Sequence, residues 1–149
     1  MELRPYQREA GEAVVKSLRR FDETLLVLPT GCGKTVVFAD LAKRLADVGW
    51  RTLILAHRDE LIEQARDTIA SVHGILPGRE KAGDRATLDD PIVVGSVQTM
   101  RGSRLQRWPR DHFKLVIPDE AHHAAADTYR AIRKHFASAK YLGVTATPD

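Results

Sequence analysis

Two short stretches of this 149-residue chain combine side chains suited to chemistry. The first is PTGCGKT, residues 29–35, which lies between an apolar run and a helical pattern. Gly31 and Gly33 let the backbone curl, so that the N–H groups of Thr30, Gly31, Cys32 and Gly33 can converge on an anion. A helix that begins at the same point adds its unpaired N–H groups and the positive end of its dipole. Lys34 then supplies a point charge for the β- and γ-phosphates of a nucleotide, and Thr35 a hydroxyl for Mg²⁺. The pattern G-x-x-x-x-G-K-[ST] is not fully met, because Leu28 stands at its first glycine. A plain glycine-rich turn with an exposed lysine is the competing reading, and Cys32 then simply fills a position that takes a small side chain.

The second stretch is LVIPDEAHHAAA, residues 115–126. A phosphate site needs a partner carboxylate for Mg²⁺ and a group that orients the attacking water. Asp119 ends the apolar run and suits the first role; Glu120, next to it, suits the second. A zinc site is the other reading of two carboxylates beside two histidines. However, His122 and His123 are adjacent, and on a helix neighbouring side chains diverge by about 100°. No further His or Cys stands three or four residues on to share a face, as helix-borne zinc motifs require. The cluster reads as the other half of the phosphate site.

Those residues need a scaffold, and the apolar pattern supplies one. Leu3, Tyr6, Ala10, Val14 and Leu18 recur at helical spacing. TLLVLP (24–29) is a continuous apolar run of the kind found in strands buried on both faces. Val37, Leu41, Leu45 and Val48 form a helical stripe ending at Gly49, a plausible C′ glycine. RTLILAH (51–57) predicts a second buried strand, and Leu61, Ala65, Ile69 and Val72 the helix after it. Residues 74–90 are rich in Gly, Pro and Asp and read as loop with room for a short edge strand. PIVVGSVQT, KLVIPD and KYLGVTA give three more strands, with a helix marked by Ala125, Tyr129, Ile132 and Phe136 before the last. Alternating strands and helices imply right-handed crossovers, hence a three-layer α/β/α domain with a parallel sheet. Ligands of such sheets bind beyond the carboxyl ends of the strands, which is where both stretches fall.

Composition narrows the alternatives. With 43% hydrophobic and 29% charged residues, the chain fits a globular domain rather than a disordered one. Its length suits one domain. A single cysteine rules out an internal disulfide and fits a reducing compartment. The opening MELRPYQREA has no apolar signal core, and no run approaches the roughly 18 apolar residues of a membrane span. A cytoplasmic location and no membrane partner are the expectation. The net charge of +3 says little about partners.

PTGCGKT and DEAH together resemble motifs I and II of the superfamily 2 helicases and translocases. The remaining stretches agree in the family's order: LRPYQREA resembles the N-terminal Q-like motif, AHRDELIEQA motif Ia, GSVQTM motif Ib and GVTATP motif III. The doubled histidine and the LRPYQ opening look most like the branch of type I and type III restriction translocases and related DNA repair helicases. The resemblance covers residues 3–148 and implies a RecA-like P-loop domain over residues 1–149, using ATP and Mg²⁺. It also implies that Gln7 contacts the adenine edge and that His122 links the ATP site to Thr145 and Thr147 of motif III. A helix-cap role for one of these threonines stays open. The implied partners are nucleic acid, with DNA the expected track, and a second RecA-like domain in cis. That second domain is expected to carry the arginine finger, so residues 1–149 alone are expected to show almost no ATPase activity. Two alternatives remain: an RNA helicase domain of the DEAH type, and a nucleotide-binding module that does not hydrolyse ATP.

Nucleic-acid contacts are expected in the loops after the second and third strands. Arg58 opens motif Ia; Ser96, Gln98 and Thr99 belong to motif Ib. Hydroxyls, amides and arginines there suit phosphate contacts without sequence readout. Arg101, Arg104, Arg107 and Arg110 follow at intervals of three, and Arg101 and Arg104 are the expected phosphate contacts. Pro118 departs from the family pattern just before Asp119, and a proline cannot donate a ladder hydrogen bond in a central strand.

Overall fold

The computed structural model describes residues 3–29, 33–81, 83–118 and 126–147. Among them are five helices and six strands, alternating except where β4 follows β3: α1 (Pro5–Arg20), β1 (Glu23–Pro29), α2 (Lys34–Asp47), β2 (Thr52–Ala56), α3 (Asp59–His73), β3 (Gly78–Glu80), β4 (Ile92–Ser96), α4 (Gly102–Gln106), β5 (Leu115–Pro118), α5 (Ala126–His135) and β6 (Lys140–Thr147). The strands form one sheet in the order β1-β6-β5-β2-β4-β3, and every neighbouring pair is parallel. None of the helices among the described residues is long and apolar enough to cross a membrane.

A parallel sheet must be covered on both faces, and strand alternation divides the core accordingly. Ile54, Ile92, Val94, Ile117, Leu142 and Val144 face one way, onto a cluster that includes Val14 of α1, Phe38 of α2 and Ile62 of α3. Leu53, Leu55, Val93, Val116 and Tyr141 face the other way, onto Leu105 of α4 and Ile132 and Phe136, with Trp108 and Phe113 between them. The result is the expected α/β/α sandwich.

β1 corrects the expectation of a strand buried on both faces. Leu26 and Leu28 are buried under α1 and α2, but Leu25 and Val27 are 63% and 43% exposed. β1 is an edge strand, and the second helical layer, α4 and α5, does not extend over it. A continuous apolar run cannot distinguish this case, because burial of alternate residues depends on a layer formed elsewhere in the chain. In α1, similarly, Tyr6 lies outside the buried stripe, which runs through Gln7, Gly11 and Val14.

Pro118 is compatible with a central strand because of where it falls. It ends β5, paired in register with Leu55 of β2, whereas the ladder to β6 covers only Leu115 and Val116. The missing N–H therefore costs no ladder bond to β6.

The far edge of the sheet is organised by a carboxylate that the sequence reading does not single out. Glu80, fully buried at the end of β3, accepts hydrogen bonds from Arg104 Nε (3.2 Å), Arg107 Nη2 (2.8 and 2.9 Å) and the Ala86 N–H (2.7 Å). Arg107 also lies 4.5 Å over the Trp108 ring. Removing one partner from a buried ion pair leaves the others uncompensated, at roughly 3–5 kcal/mol. Glu80→Ala should therefore lower unfolding stability in urea by about that amount, and Glu80→Gln by less, since an amide still accepts hydrogen bonds. An unchanged unfolding midpoint in Glu80→Ala would show that the cluster contributes nothing net.

Candidate nucleotide and nucleic-acid site

Parallel strands send all their carboxyl ends to one edge of the sheet. Along that edge, in spatial order, come the end of β1 at Pro29, the end of β6 with Thr145 and Thr147, the end of β5 at Pro118, Arg58 after β2, and Ser96–Thr99 after β4. β6 thus lies between β1 and β5. It pairs with β1 over its length, Val27 opposite Thr145 and Pro29 opposite Thr147. The strand carrying the two threonines runs between β1 and β5, the strands after which the two stretches of the expected phosphate site follow in the sequence.

The described part of the phosphate loop begins at Gly33, which holds φ 71° and ψ 45° in the left-handed region and leads straight into α2. Glycine adopts this backbone without the penalty other residues incur. A side chain would also displace a neighbour: a Cβ on Gly33 would lie 2.6 Å from Gln7 Nε2, so the Gln7 amide would have to shift. The Gly33 carbonyl accepts from Val36 N–H (3.0 Å) and Val37 N–H (3.4 Å), which starts the helix. Lys34 and Thr35, both partly buried, therefore occupy the first turn of α2, whose N–H groups an α-helix leaves without intrahelical partners. Glycine, helix terminus and lysine thus make a cradle suited to an anion.

Gln7 joins this cradle from α1. Its side-chain carbonyl accepts from the Arg4 N–H at 2.9 Å, closing the first turn of a helix that begins with Pro5. That bond fixes the amide in place, 94% buried, with Nε2 directed at Gly33. One residue in the Q-like stretch therefore touches the loop itself, a contact that the sequence reading did not assign to it.

The loops after β2 and β4 form a second unit. Val97 N–H donates to the Ala56 carbonyl (3.0 Å), and Gln98 Nε2 donates to the His57 carbonyl (3.3 Å). The Ser96 hydroxyl, buried, donates to Gln98 Oε1 at 2.8 Å. Ser96 therefore orients Gln98, while Gln98, Arg58 and Arg101 are exposed on the strand-end edge and Thr99 is half-buried. Arg104 departs from the expectation. It is directed at Glu80 and at the Asp84 carbonyl (2.6 Å), so its guanidinium is held within the protein by the β3 edge. The sequence signal for this was the spacing of Arg104 and Arg107, which puts both on one helix face and able to share a carboxylate.

Thr30, Gly31, Cys32, Asp119, Glu120 and His122 lie outside the described residues, and of Thr145 and Thr147 only the backbone is described. Among the described residues, no group of three or more His, Cys, Asp or Glu is placed to hold a metal ion.

Comparison with known proteins agrees with this architecture. The family model described as type III restriction enzyme, res subunit, matches residues 1–149. IRC3 of Saccharomyces cerevisiae, a candidate ATP-dependent helicase, is 38% identical over 144 residues, covering 90% of this chain and 21% of that protein. The DNA 3'-5' translocase XPB2 of Sulfurisphaera tokodaii is 33% identical over 149 residues, covering 100% of this chain and 31% of its own. The chain thus spans a fifth to a third of the length of these relatives. Among solved structures, a nuclease-deletion mutant of the type ISP restriction-modification enzyme LlaGI, in complex with a DNA substrate mimic, superposes with a TM-score of 0.78 at 19% identity. The match covers 99% of this chain and 18% of that one, and establishes a shared fold.

The contact between Gly33 and Gln7 gives a test. Gly33→Ala combines backbone strain of about 1–2 kcal/mol with a collision against the Gln7 amide. It should lower the melting temperature and weaken ADP binding measured by calorimetry. Adding Gln7→Ala removes the collision and should recover part of the stability without recovering binding. If Gly33→Ala alone binds and melts like the parent chain, the cradle is not shaped as described.

Proposed function

The chain belongs to the type III restriction enzyme res-subunit family of ATP-dependent helicases, and from that premise we propose that it is the first RecA-like domain of a DNA translocase or helicase. In this reading it couples ATP hydrolysis to movement along DNA and works opposite a second RecA-like domain of the same protein. The observation that carries the proposal is the Gly33 turn into α2, with Lys34 and Thr35 in the first helical turn and the Gln7 amide packed against the loop.

Residues 30–35 hold the phosphates through backbone N–H groups and the helix terminus, and Lys34 neutralises charge on the β- and γ-phosphates. Gln7, held beside the loop by its bond to the Arg4 N–H, is the residue that the Q-like stretch would bring to the adenine edge. The hydroxyl of Thr35 and the carboxylate of Asp119 are the groups that would hold Mg²⁺, which when bound supplies positive charge to the phosphate oxygens. Glu120 orients the attacking water and takes its proton. His122 connects this end of the site with Thr145 and Thr147, on the strand that separates the two halves. Arg58, Gln98, Thr99 and Arg101 carry the DNA backbone farther along the same edge, with Ser96 setting the orientation of Gln98. Such contacts follow phosphate and not sequence, which suits a motor that moves along its track. DNA is preferred to RNA because the XPB2 relative, 33% identical over the whole chain, is named as a DNA translocase.

The roles separate by mutation. Lys34→Ala removes a charge-assisted contact worth roughly 1.5–3 kcal/mol, so calorimetry should find Mg-ADP binding about ten- to a hundredfold weaker. Equal affinity would remove Lys34 from the site. Glu120→Gln, made in the protein that includes the second RecA-like domain, should bind ATP nearly as well as the parent. It should lose roughly 10²- to 10⁴-fold in turnover, the usual contribution of a general base. Parental turnover would assign the base elsewhere. Duplex DNA, single-stranded DNA and RNA compared as activators of the same protein test the track, and stimulation by RNA alone would favour the DEAH-type RNA helicase reading.

A further inference from the structure

At the opposite edge of the sheet from the nucleotide loop, a cavity of about 560 Å³ opens between the last turns of α1 and α2 and the first residues of β5 and β6. Its apolar lining includes Leu18, Leu41, Leu45 and Leu115, with Trp50 at the rim, 50% exposed. Among the described residues four cations line it as well, Arg19, Arg44, Lys114 and Lys140, and no carboxylate does. Arg44 pairs with Asp40 on its own helix, and Lys140 with Asp22. Arg19 and Lys114 have no carboxylate partner among the described residues.

Helix dipoles account for part of this charge, since Arg19 and Arg44 stand in the last turns of α1 and α2. They do not account for Lys114 and Lys140, which stand at strand starts and are joined backbone to backbone, Lys140 N–H donating to the Lys114 carbonyl at 2.9 Å. Lys114 N–H in turn donates to the Arg51 carbonyl at 2.9 Å. Arg19 and Lys114 thus bring positive charge to the cavity that no carboxylate among the described residues offsets, and an anionic ligand would neutralise it. The cavity also offers apolar depth that phosphate recognition alone does not need.

We propose that this cavity is the docking site for an acidic amphipathic peptide segment of a partner protein. A bulky apolar side chain enters between Leu18, Leu45 and Trp50, and flanking carboxylates meet Arg19, Lys114 and Lys140. The ends of β6, Lys140 at the cavity and Thr147 at the nucleotide edge, are roughly 23 Å apart at about 3.3 Å per residue. A partner seated here leaves the nucleotide and nucleic-acid edge open, so the two can be occupied together. The proposal does not depend on the activity assigned to that edge.

The test is fluorescence anisotropy of a labelled synthetic peptide in which Glu alternates with Leu and Phe, titrated with the 149-residue chain. Emission of Trp50 provides a second readout, because the other tryptophan, Trp108, is buried. Saturable, salt-sensitive binding with a blue shift of Trp50 is expected. Reversing two rim charges that break no ion pair, Arg19→Glu with Lys114→Glu, should weaken it about tenfold or more. Trp50→Ala should weaken it without touching any charge, and melting curves confirm that each variant is folded. Mg-ADP should leave the affinity unchanged. The proposal falls if a peptide with Ser in place of Leu and Phe binds equally well, if both variants bind like the parent, or if a single-stranded oligonucleotide displaces the peptide. It also falls if light scattering finds a second copy of the chain in the cavity.

Discussion

The six strands among the described residues all run the same way, and that constraint governs both where the site can lie and how it is built. Parallel strands need crossovers, crossovers bring helices onto both faces, and the carboxyl ends collect at one edge. The loops that leave those ends are the places where backbone donors, a lysine, carboxylates and arginines from distant stretches of the chain can meet. At the phosphate loop the demand becomes local: the backbone must pass from β1 into α2 within a few residues, and Gly33 does so at φ 71° with the Gln7 amide where a side chain would otherwise be.

The spatial order of that edge gives the proposed mechanism its direction. In the proposed reading the nucleotide end is at β1 and the loops that meet a nucleic-acid backbone are at β2 and β4. β6 and β5 lie between them. At the phosphate end β1 and β6 are in direct register, with Val27 opposite Thr145 and Pro29 opposite Thr147, whereas β6 and β5 are paired only near their starts, at Leu115 and Val116. On the nucleic-acid side, the bonds from Gln98 to the His57 carbonyl and from Val97 to the Ala56 carbonyl tie two loops into one body.

Much of this was legible in the sequence, for identifiable reasons. The buried strands β2 and β4 announce themselves because both faces are covered, so every residue is apolar or small. Gly49 at the end of α2 was legible because left-handed C′ positions favour glycine, and it holds φ 82°. What was not legible depends on pairings between distant segments. The exposure of Leu25 and Val27 follows from the reach of α4 and α5, which no local pattern encodes. α4 itself, five residues long, was hidden in a basic run. The destination of Arg104 is decided by Glu80, 24 positions earlier, on a three-residue strand inside a stretch that reads as loop. A buried carboxylate draws arginines inward as effectively as a phosphate draws them outward, and the sequence alone does not say which one is nearer.

The most direct test of the central claim is a pair of backbone amide NMR titrations of the 149-residue chain, one with Mg-ADP and one with a single-stranded DNA oligonucleotide. The account predicts that nucleotide shifts resonances at Gln7 and Gly33–Val36, and that the oligonucleotide shifts those at Arg58, Gln98, Thr99 and Arg101, with Arg104 and Glu80 little moved. If nucleotide left Gly33–Val36 unmoved, or if the oligonucleotide perturbed the Lys114 and Lys140 edge instead of the loops after β2 and β4, the account would be contradicted.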